Sequence, residues 1–203
     1  MFKGQKKPSS LILFLLFILL GMETGRSYGE EILTFGPRET KIIGSIPYTV
    51  IGQYKAQFHV FKGRIGLDER TLQVQSVYLE IEVKSIKSNC PWCDKIARSR
   101  RLLYAARYPK IIFKSDTITQ DQSGYQVKGV LAMHGVKRRM TFPFKAGIFY
   151  DQKMKRKTLD LKGIWNINRK HFNIVWNKLL DRGGVLVGDD FTVNWGIKEY
   201  VNR

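Results

Sequence analysis

A period-two alternation of apolar and polar residues recurs along most of the chain, and it constrains the fold more than any other feature. In VYLEIEVK, residues 77–84, the odd-numbered positions are all aliphatic and the even-numbered positions carry Tyr, Glu, Glu and Lys. Such alternation is typical of a strand with one buried and one exposed face. The chain is therefore expected to fold mainly as β-sheet.

Several other short segments show the same pattern: 49–51, 56–61, 111–114, 125–133, 140–150, 159–167 and 191–200. Turn-forming residues separate them, at Gly63, 121–124, His134-Gly135, 151–157 and 181–184. Closely spaced strands joined by hairpin turns favour an antiparallel barrel or sandwich over a βαβ arrangement. With 203 residues, 43% of them hydrophobic, we expect one domain and no second core.

One segment departs from the alternation. Asp94 to Arg107, DKIARSRRLLYAAR, is rich in helix-forming residues and ends just before Tyr108-Pro109. Asp94 is suited to the N-cap, and Pro109 cannot continue a helix. The sequence therefore predicts one short helix over this segment.

The N-terminus has the features of a secretory signal. Lys3, Lys6 and Lys7 precede an apolar run over residues 11–20, and small residues follow up to Gly29. This order is typical of a cleaved signal peptide, and the run is short for a membrane span of about 20 residues. We expect a signal over residues 1–29, a mature domain over 30–203 and a periplasmic location, with an uncleaved anchor as the alternative.

The charge balance indicates the class of partner. The formal net charge is +18, and residues 1–29 hold four basic residues against one acid, which leaves the mature chain at +15. For an exported protein, an anionic membrane surface is a better match than nucleic acid. The alternative is a solvated basic face with no specific partner.

Motifs for catalysis are missing from the sequence. The chain has no GxSxG, no phosphate-binding glycine loop, no HExxH and no EF-hand pattern. We therefore predict a protein that is not an enzyme and has no cofactor and no metal site. The oligomeric state is left open, with a homodimer as one option.

The two cysteines, Cys90 and Cys93, lie in KSNCPWCDK. A zinc site would need four ligands, and no second cysteine pair exists. A redox centre is one interpretation, because a helix N-terminus and nearby arginines favour a thiolate. A structural disulfide is the other, and closing so short a loop should stabilise the fold by less than the ~3 kcal/mol of a 15-residue loop.

Several stretches together resemble the YceI-like family of exported, lipocalin-like barrels associated with polyisoprenoids and other long amphiphiles. They are FKGRI with Asp68, a strand ending in Ser85-Ile86, YPKIIFKS at 108–115, GVLAMHGVK at 129–137, INRKHFNI at 167–174 and VGDD at 187–190. Within the helix, Cys93 stands where the family usually has arginine and Ile96 where it has histidine. The resemblance implies a single eight-stranded antiparallel lipocalin-like β-barrel with one short helix.

The resemblance also implies a function, a non-catalytic carrier of a long-chain isoprenoid or other lipid. The side chains predicted to face the ligand are Phe58, Val77, Leu79, Phe113, Phe142, Phe144, Trp165 and Phe172. Arg169 is predicted to contact a phosphate headgroup, since arginine suits bidentate phosphate binding. A thiol-disulfide protein that uses Cys90 and Cys93 on the same barrel is the alternative.

Overall fold

The alternating segments form the strands of one antiparallel sheet. The computed structural model describes residues 30–38, 40–49, 52–178 and 186–201, and these contain eleven strands and one α-helix. The strands are β1 (Glu30–Phe35), β2 (Lys41–Tyr48), β3 (Gly52–Phe58), β4 (Phe61–Asp68), β5 (Val74–Glu82), β6 (Ile86–Lys87), β7 (Lys110–Asp121), β8 (Gly124–Met133), β9 (Val136–Asp151), β10 (Arg156–Asn168) and β11 (Asp190–Val201). The helix is α1 (Pro91–Arg98). None of the described residues forms a helix long and apolar enough to cross a bilayer.

The sheet curls around an apolar interior. The strand order is β1-β4-β5-β7-β8-β9-β10-β11-β2-β3-β6. β4 pairs with β5 near one end of this order, and β3 pairs with β6 at the other. Since β4 follows β3 after two residues and β6 follows β5 after a 3-10 turn, these pairings join the two ends of the sheet.

The all-β class is confirmed, and the strand count of eight is too low for the described residues. Two long strands are each interrupted, between β3 and β4 at residues 59–60 and between β5 and β6 at Val83–Ser85. β1 adds a further strand along β4, with Glu30 opposite Asp68. Counting each interrupted pair as one strand and omitting β1 gives the eight positions expected for a barrel.

The apolar residues at alternate positions of the strands form the core, as predicted. Leu79 pairs with Phe113 and Phe113 pairs with Leu131, so three adjacent strands present apolar side chains to the same interior. The hairpin turn at His134-Gly135 has positive φ at both residues, 53° and 79°, which is the geometry of a tight two-residue turn. The predicted turn at 121–124 is also confirmed, with Asp121 opposite Gly124.

The predicted helix, Asp94–Arg107, has different limits. α1 begins at Pro91, with Cys90 rather than Asp94 as its N-cap, and proline is well suited to the first helical position. It ends at Arg98 and is capped by Ser99, whose N–H and hydroxyl both donate to the Ile96 carbonyl, at 3.0 and 2.8 Å. Turns follow as far as Arg107. The predicted signal at 1–29, the end of the 49–51 strand and the 181–184 turn lie outside the described residues.

Candidate ligand-binding site

A cavity of about 130 Å³ lies inside the barrel. Its lining is almost wholly hydrocarbon and is drawn from both halves of the sheet. Six of the eight residues predicted to face a ligand line it: Phe58, Val77, Leu79, Phe113, Phe144 and Trp165. Their contact with a ligand remains a prediction, but their position at the cavity follows from the strand parity inferred from sequence.

Phe142 and Phe172 do not line this cavity. Phe142 is buried behind Trp165, with the two rings stacked at a centroid distance of 4.2 Å and an interplanar angle of 9°. Phe172 lies in a 3-10 turn, Arg169–Phe172, that follows β10, and it is fully buried there. Both predicted positions are therefore corrected: these rings pack around the site and do not form its surface.

More of the lining comes from strands that sequence reasoning did not assign to the site. It includes Ile42, Gly44, Ile46, Phe191, Val193, Trp195 and Ile197, from β2 and β11. The signal was present, since alternate residues of β11 from 191 to 197 are all apolar. Gly44 is notable because a Cβ built there meets no atom within 4 Å, so the cavity is open directly above its backbone.

Aromatic rings form a continuous cluster along the cavity wall. Trp165 contacts Phe113 at 5.6 Å and Trp195 at 5.2 Å between ring centroids, and Trp195 contacts Phe144 at 6.3 Å. The Trp165 indole N–H donates to the Pro143 carbonyl at 3.0 Å. The buried Nε1 of Trp195 has no hydrogen-bond partner among the described residues. An unsatisfied buried donor is costly, so this N–H is available to a polar ligand atom.

Three hydroxyl groups interrupt the apolar lining. Tyr54 donates to Asp94 at 2.8 Å, and Ser45 makes a long contact of 3.4 Å with the Thr192 carbonyl. The hydroxyl of Thr40, which is 1% exposed, has no partner among the described residues. The cavity therefore suits a hydrocarbon chain and offers few sites for polar groups.

The Tyr54–Asp94 contact fastens α1 to the barrel. The Asp94 carboxylate also accepts from the Ser88 N–H at 3.0 Å and the Ser88 hydroxyl at 2.6 Å. Burial opposes its charge, but the bonds from Ser88 and Tyr54 and the nearby Arg98 outweigh burial, so the pKa of Asp94 is lower than usual. Burial, and then the bond to Asp94, raises the pKa of Tyr54, which keeps this phenol protonated.

Cys90 and Cys93 are joined by a disulfide, with their Cα atoms 5.2 Å apart. Cys93 is buried against the core, whereas Trp92 between them is 62% exposed. The arginines that follow the cysteine pair in sequence contact groups other than the cysteines. Arg98 donates to the Ile86 carbonyl, Arg101 lies over the Trp176 ring and Arg100 lies over the Tyr104 ring. Within the described residues, no cluster of three His, Cys, Asp or Glu side chains could hold a metal ion.

Arg169 is fully buried and does not line the cavity. Its five N–H donors bond to four backbone carbonyls, those of Ile174, Trp176, Val187 and Gly188, and to the Asp189 carboxylate. An arginine has five donors, and here all are in use. The predicted headgroup contact is therefore corrected to a structural role, in which Arg169 holds residues 174–176 and 187–189 together.

The family model for the YceI-like domain matches residues 34–198. The chain belongs to the YceI-like family. All the cavity residues named above lie within the matched range, as do the disulfide and Arg169.

Solved structures agree with the YceI-like fold. BcnA of Burkholderia cenocepacia superposes with a TM-score of 0.65 at 19% identity, over 79% of this chain and 96% of that one. A polyisoprenoid binding domain from Saccharophagus degradans, implicated in plant cell wall breakdown, gives a TM-score of 0.56 at 12% identity, over 85% and 100%. At these identities the likeness shows the fold alone.

Curated relatives match over shorter stretches. A UPF0312 protein of Yersinia enterocolitica is 30% identical over 88 residues, which cover 43% of this chain and 46% of that protein. Another from Vibrio parahaemolyticus is 25% identical over 127 residues, or 62% and 67%. The chain thus spans between about half and two thirds of the length of these two YceI-like relatives.

Proposed function

We propose that this YceI-like protein is an exported, periplasmic, non-catalytic carrier that holds a long-chain isoprenoid or other amphiphilic lipid inside its barrel. The observation that carries the proposal is the cavity inside the barrel, which is lined by hydrocarbon. Each methylene buried there contributes about 0.8 kcal/mol to binding. The similarity in fold to a polyisoprenoid binding domain supports the same class of ligand.

The cavity chemistry also supports a carrier over an enzyme. The titratable side chain in the lining is that of Tyr54, which stays protonated because burial and Asp94 raise its pKa. General acid–base catalysis needs a group whose pKa lies near the working pH. The described lining supplies none, so binding is the function that these residues support.

Bromine-labelled amphiphiles test this proposal directly. Trp165 and Trp195 line the cavity, whereas Trp92 and Trp176 do not. In a Trp92→Phe/Trp176→Phe background, a polyprenyl phosphate analogue brominated along its chain should quench the remaining fluorescence saturably and with one site per chain. Absence of quenching at micromolar ligand would reject the proposal.

A basic, apolar hairpin supports contact with an anionic membrane surface. The turn between β9 and β10 carries Met154, 49% exposed, and Phe149 and Tyr150 near the end of β9 are 60% and 56% exposed. Lys153, Lys155, Arg156 and Lys157 are exposed in the same turn and at the start of β10. Aromatic rings favour the interface and each basic residue adds about 1 kcal/mol near an anionic surface.

Charge removal on this hairpin should weaken membrane binding. We expect Lys153→Gln/Lys155→Gln/Arg156→Gln to lower binding to phosphatidylglycerol vesicles by at least about tenfold at low salt, since three attractive charges are lost. Sedimentation with sucrose-loaded vesicles gives the measurement. Lys55→Gln/Lys114→Gln/Lys128→Gln removes the same charge from other exposed positions and should have less effect. Equal losses in the two triple variants would mean that net charge, and not this hairpin, drives the contact.

The thiol-disulfide alternative has one favourable contact. The Cys93 N–H, at the start of α1, donates to the Cys90 sulfur at 3.2 Å, and such a donor stabilises a thiolate after reduction. Redox titration with alkylation and mass spectrometry separates the two roles. A structural bond should have a potential below about −300 mV, whereas values between about −120 and −270 mV are typical of thiol oxidoreductases.

The stability contribution of this disulfide should be modest. For a loop of four residues, we expect Cys90→Ser/Cys93→Ser to lower the free energy of unfolding by about 2 kcal/mol. Urea unfolding of the double variant and of the wild type measures the difference. A loss above about 4 kcal/mol would contradict a local effect and indicate that the bond holds α1 and the barrel together.

A further inference from the structure

The barrel wall separates beside the cavity, between β9 and β10. Their pairing runs from Arg156 opposite Asp151 to Lys162 opposite Lys145 and then stops, although both strands continue. Pro143, two residues beyond Lys145 on β9, has no N–H for a ladder bond. A groove of about 610 Å³ occupies this separation.

The groove and the cavity meet at two aromatic side chains. Phe144 and Trp195 line both spaces, so an amphiphile that occupies the cavity and the groove together has to pass these two rings. The unpartnered Nε1 of Trp195 is buried at this junction. Gly163 leaves room for the Trp195 indole at this junction, because a Cβ at position 163 would lie 2.8 Å from that ring.

The groove adds binding space that a long ligand needs, because the cavity inside the barrel is small. A cavity of about 150 Å³ holds one benzene molecule, so about 130 Å³ holds only a short segment of an isoprenoid chain. A long amphiphile therefore needs the groove as well. Its polar end would then lie outside the barrel wall, at the outer rim of the groove.

Three lysines lie in one row across that rim. Lys145 is directly opposite Lys162, Lys162 is opposite Gly196, and Gly196 is opposite Lys41, so the row crosses four adjacent strands. All three lysines are exposed and line the groove, and none forms an ion pair with another described residue. Asp160 is the acid two residues before Lys162 on β10, and it lies opposite Gly147 and Lys198. It is therefore not a member of the lysine row.

This row is unfavourable without an anion. Like charges directly opposite on neighbouring strands repel, and Lys145 and Lys162 are such a pair. Gly196 leaves a gap between Lys162 and Lys41 where an anionic group fits. Lysine binds phosphate as a point charge with three donors, so it does not need a fixed fork geometry.

We infer that Lys41, Lys145 and Lys162 bind the phosphate group of an amphiphile whose chain lies in the groove and the cavity. The inference rests on the proposed carrier function and deepens it, because it specifies an anionic head over a neutral one. The headgroup site lies on the outer face of β2, β9 and β10, and Arg169 takes no part in it.

Matched ligands test this site. Geranylgeranyl phosphate and geranylgeraniol share one chain and differ in the head, and their binding is measured by isothermal titration calorimetry. We expect the wild type to bind the phosphate about 10- to 100-fold more tightly, given three exposed charge contacts. Lys41→Gln/Lys145→Gln/Lys162→Gln should abolish this preference, by lowering the affinity for the phosphate to that for the alcohol.

Two controls sharpen the result. Lys55→Gln/Lys114→Gln/Lys128→Gln removes equal charge elsewhere on the barrel and should keep the preference. Gly196→Asp places a carboxylate between the lysines, and a Cβ at this position meets nothing closer than the Leu161 carbonyl at 3.8 Å. Gly196→Asp should weaken binding of geranylgeranyl phosphate and not of geranylgeraniol. Gly196→Asn adds a side chain of the same size without the charge and should have little effect on either ligand.

The outcomes separate this inference from the proposed function. Equal affinity of the wild type for both ligands, or a preference that survives in the lysine variant, overturns the headgroup site and leaves the carrier function intact. Inorganic phosphate that binds as tightly as geranylgeranyl phosphate overturns it in favour of a free-phosphate site. Failure of both amphiphiles to bind overturns the carrier function, and the headgroup site with it.

Discussion

Replacing Gly44 with phenylalanine is expected to abolish lipid binding while the barrel stays folded. The new Cβ would meet no atom within 4 Å, and its ring would extend into a cavity of about 130 Å³. A benzene ring fills a space of this size, so the substituted side chain would occupy the position of the ligand. We expect affinity for geranylgeraniol to fall at least about 100-fold, because the chain loses the methylenes that it buries in this cavity, at about 0.8 kcal/mol each.

The free energy of unfolding distinguishes a Gly44→Phe protein whose cavity is blocked from one that has unfolded. Filling an apolar cavity gains packing, while a poor fit costs 1–3 kcal/mol, so the free energy of unfolding should change by no more than about 2 kcal/mol. Val60→Phe adds the same ring at an exposed position and should leave binding unchanged. A folded Gly44→Phe protein that binds as tightly as wild type would show that the ligand does not enter this cavity.

Arg169→Met is expected to destabilise the protein by about 4 kcal/mol or more. Methionine preserves much of the side-chain length but leaves four backbone carbonyls without their donor. The Arg169 side chain is 0% exposed, so water cannot replace the lost donors. Each buried, unsatisfied polar group costs about 1–3 kcal/mol. Urea unfolding followed by circular dichroism measures the loss.

Two further variants make the result specific. Arg169→Lys should recover little, since one ammonium cannot satisfy four carbonyls and Asp189 together. Arg139→Met removes an arginine whose side chain is 64% exposed and pairs with Asp116 at 3.3 Å, and should cost less than about 1 kcal/mol. An Arg169→Met protein as stable as Arg139→Met would contradict the structural role.

Strand parity was predictable because it depends on local alternation. Residues 77–84 and 125–133 each alternate clearly, and the side chains of Val77 and Leu79 face the cavity as inferred. The same reasoning failed at Phe172, which follows the end of β10 and lies in a 3-10 turn where alternation no longer applies.

Arg169 and the lysine row show what a sequence does not contain. The carbonyls that bind Arg169 belong to Ile174, Trp176, Val187 and Gly188, and nothing local in the sequence indicates that these residues lie around the guanidinium. Lys41, Lys145 and Lys162 are far apart in the chain and become neighbours only through the register of four strands. Register between distant strands depends on the closed sheet, so neither feature follows from the pattern of a single segment.

The central claim, that the barrel carries a lipid, is tested most directly by native mass spectrometry of the protein purified from its native host, followed by lipid extraction. The account predicts one amphiphile with a long apolar chain per polypeptide in the wild type and in Val60→Phe, and none in Gly44→Phe. A wild-type protein that carries no lipid and takes up no added polyprenyl phosphate would contradict it.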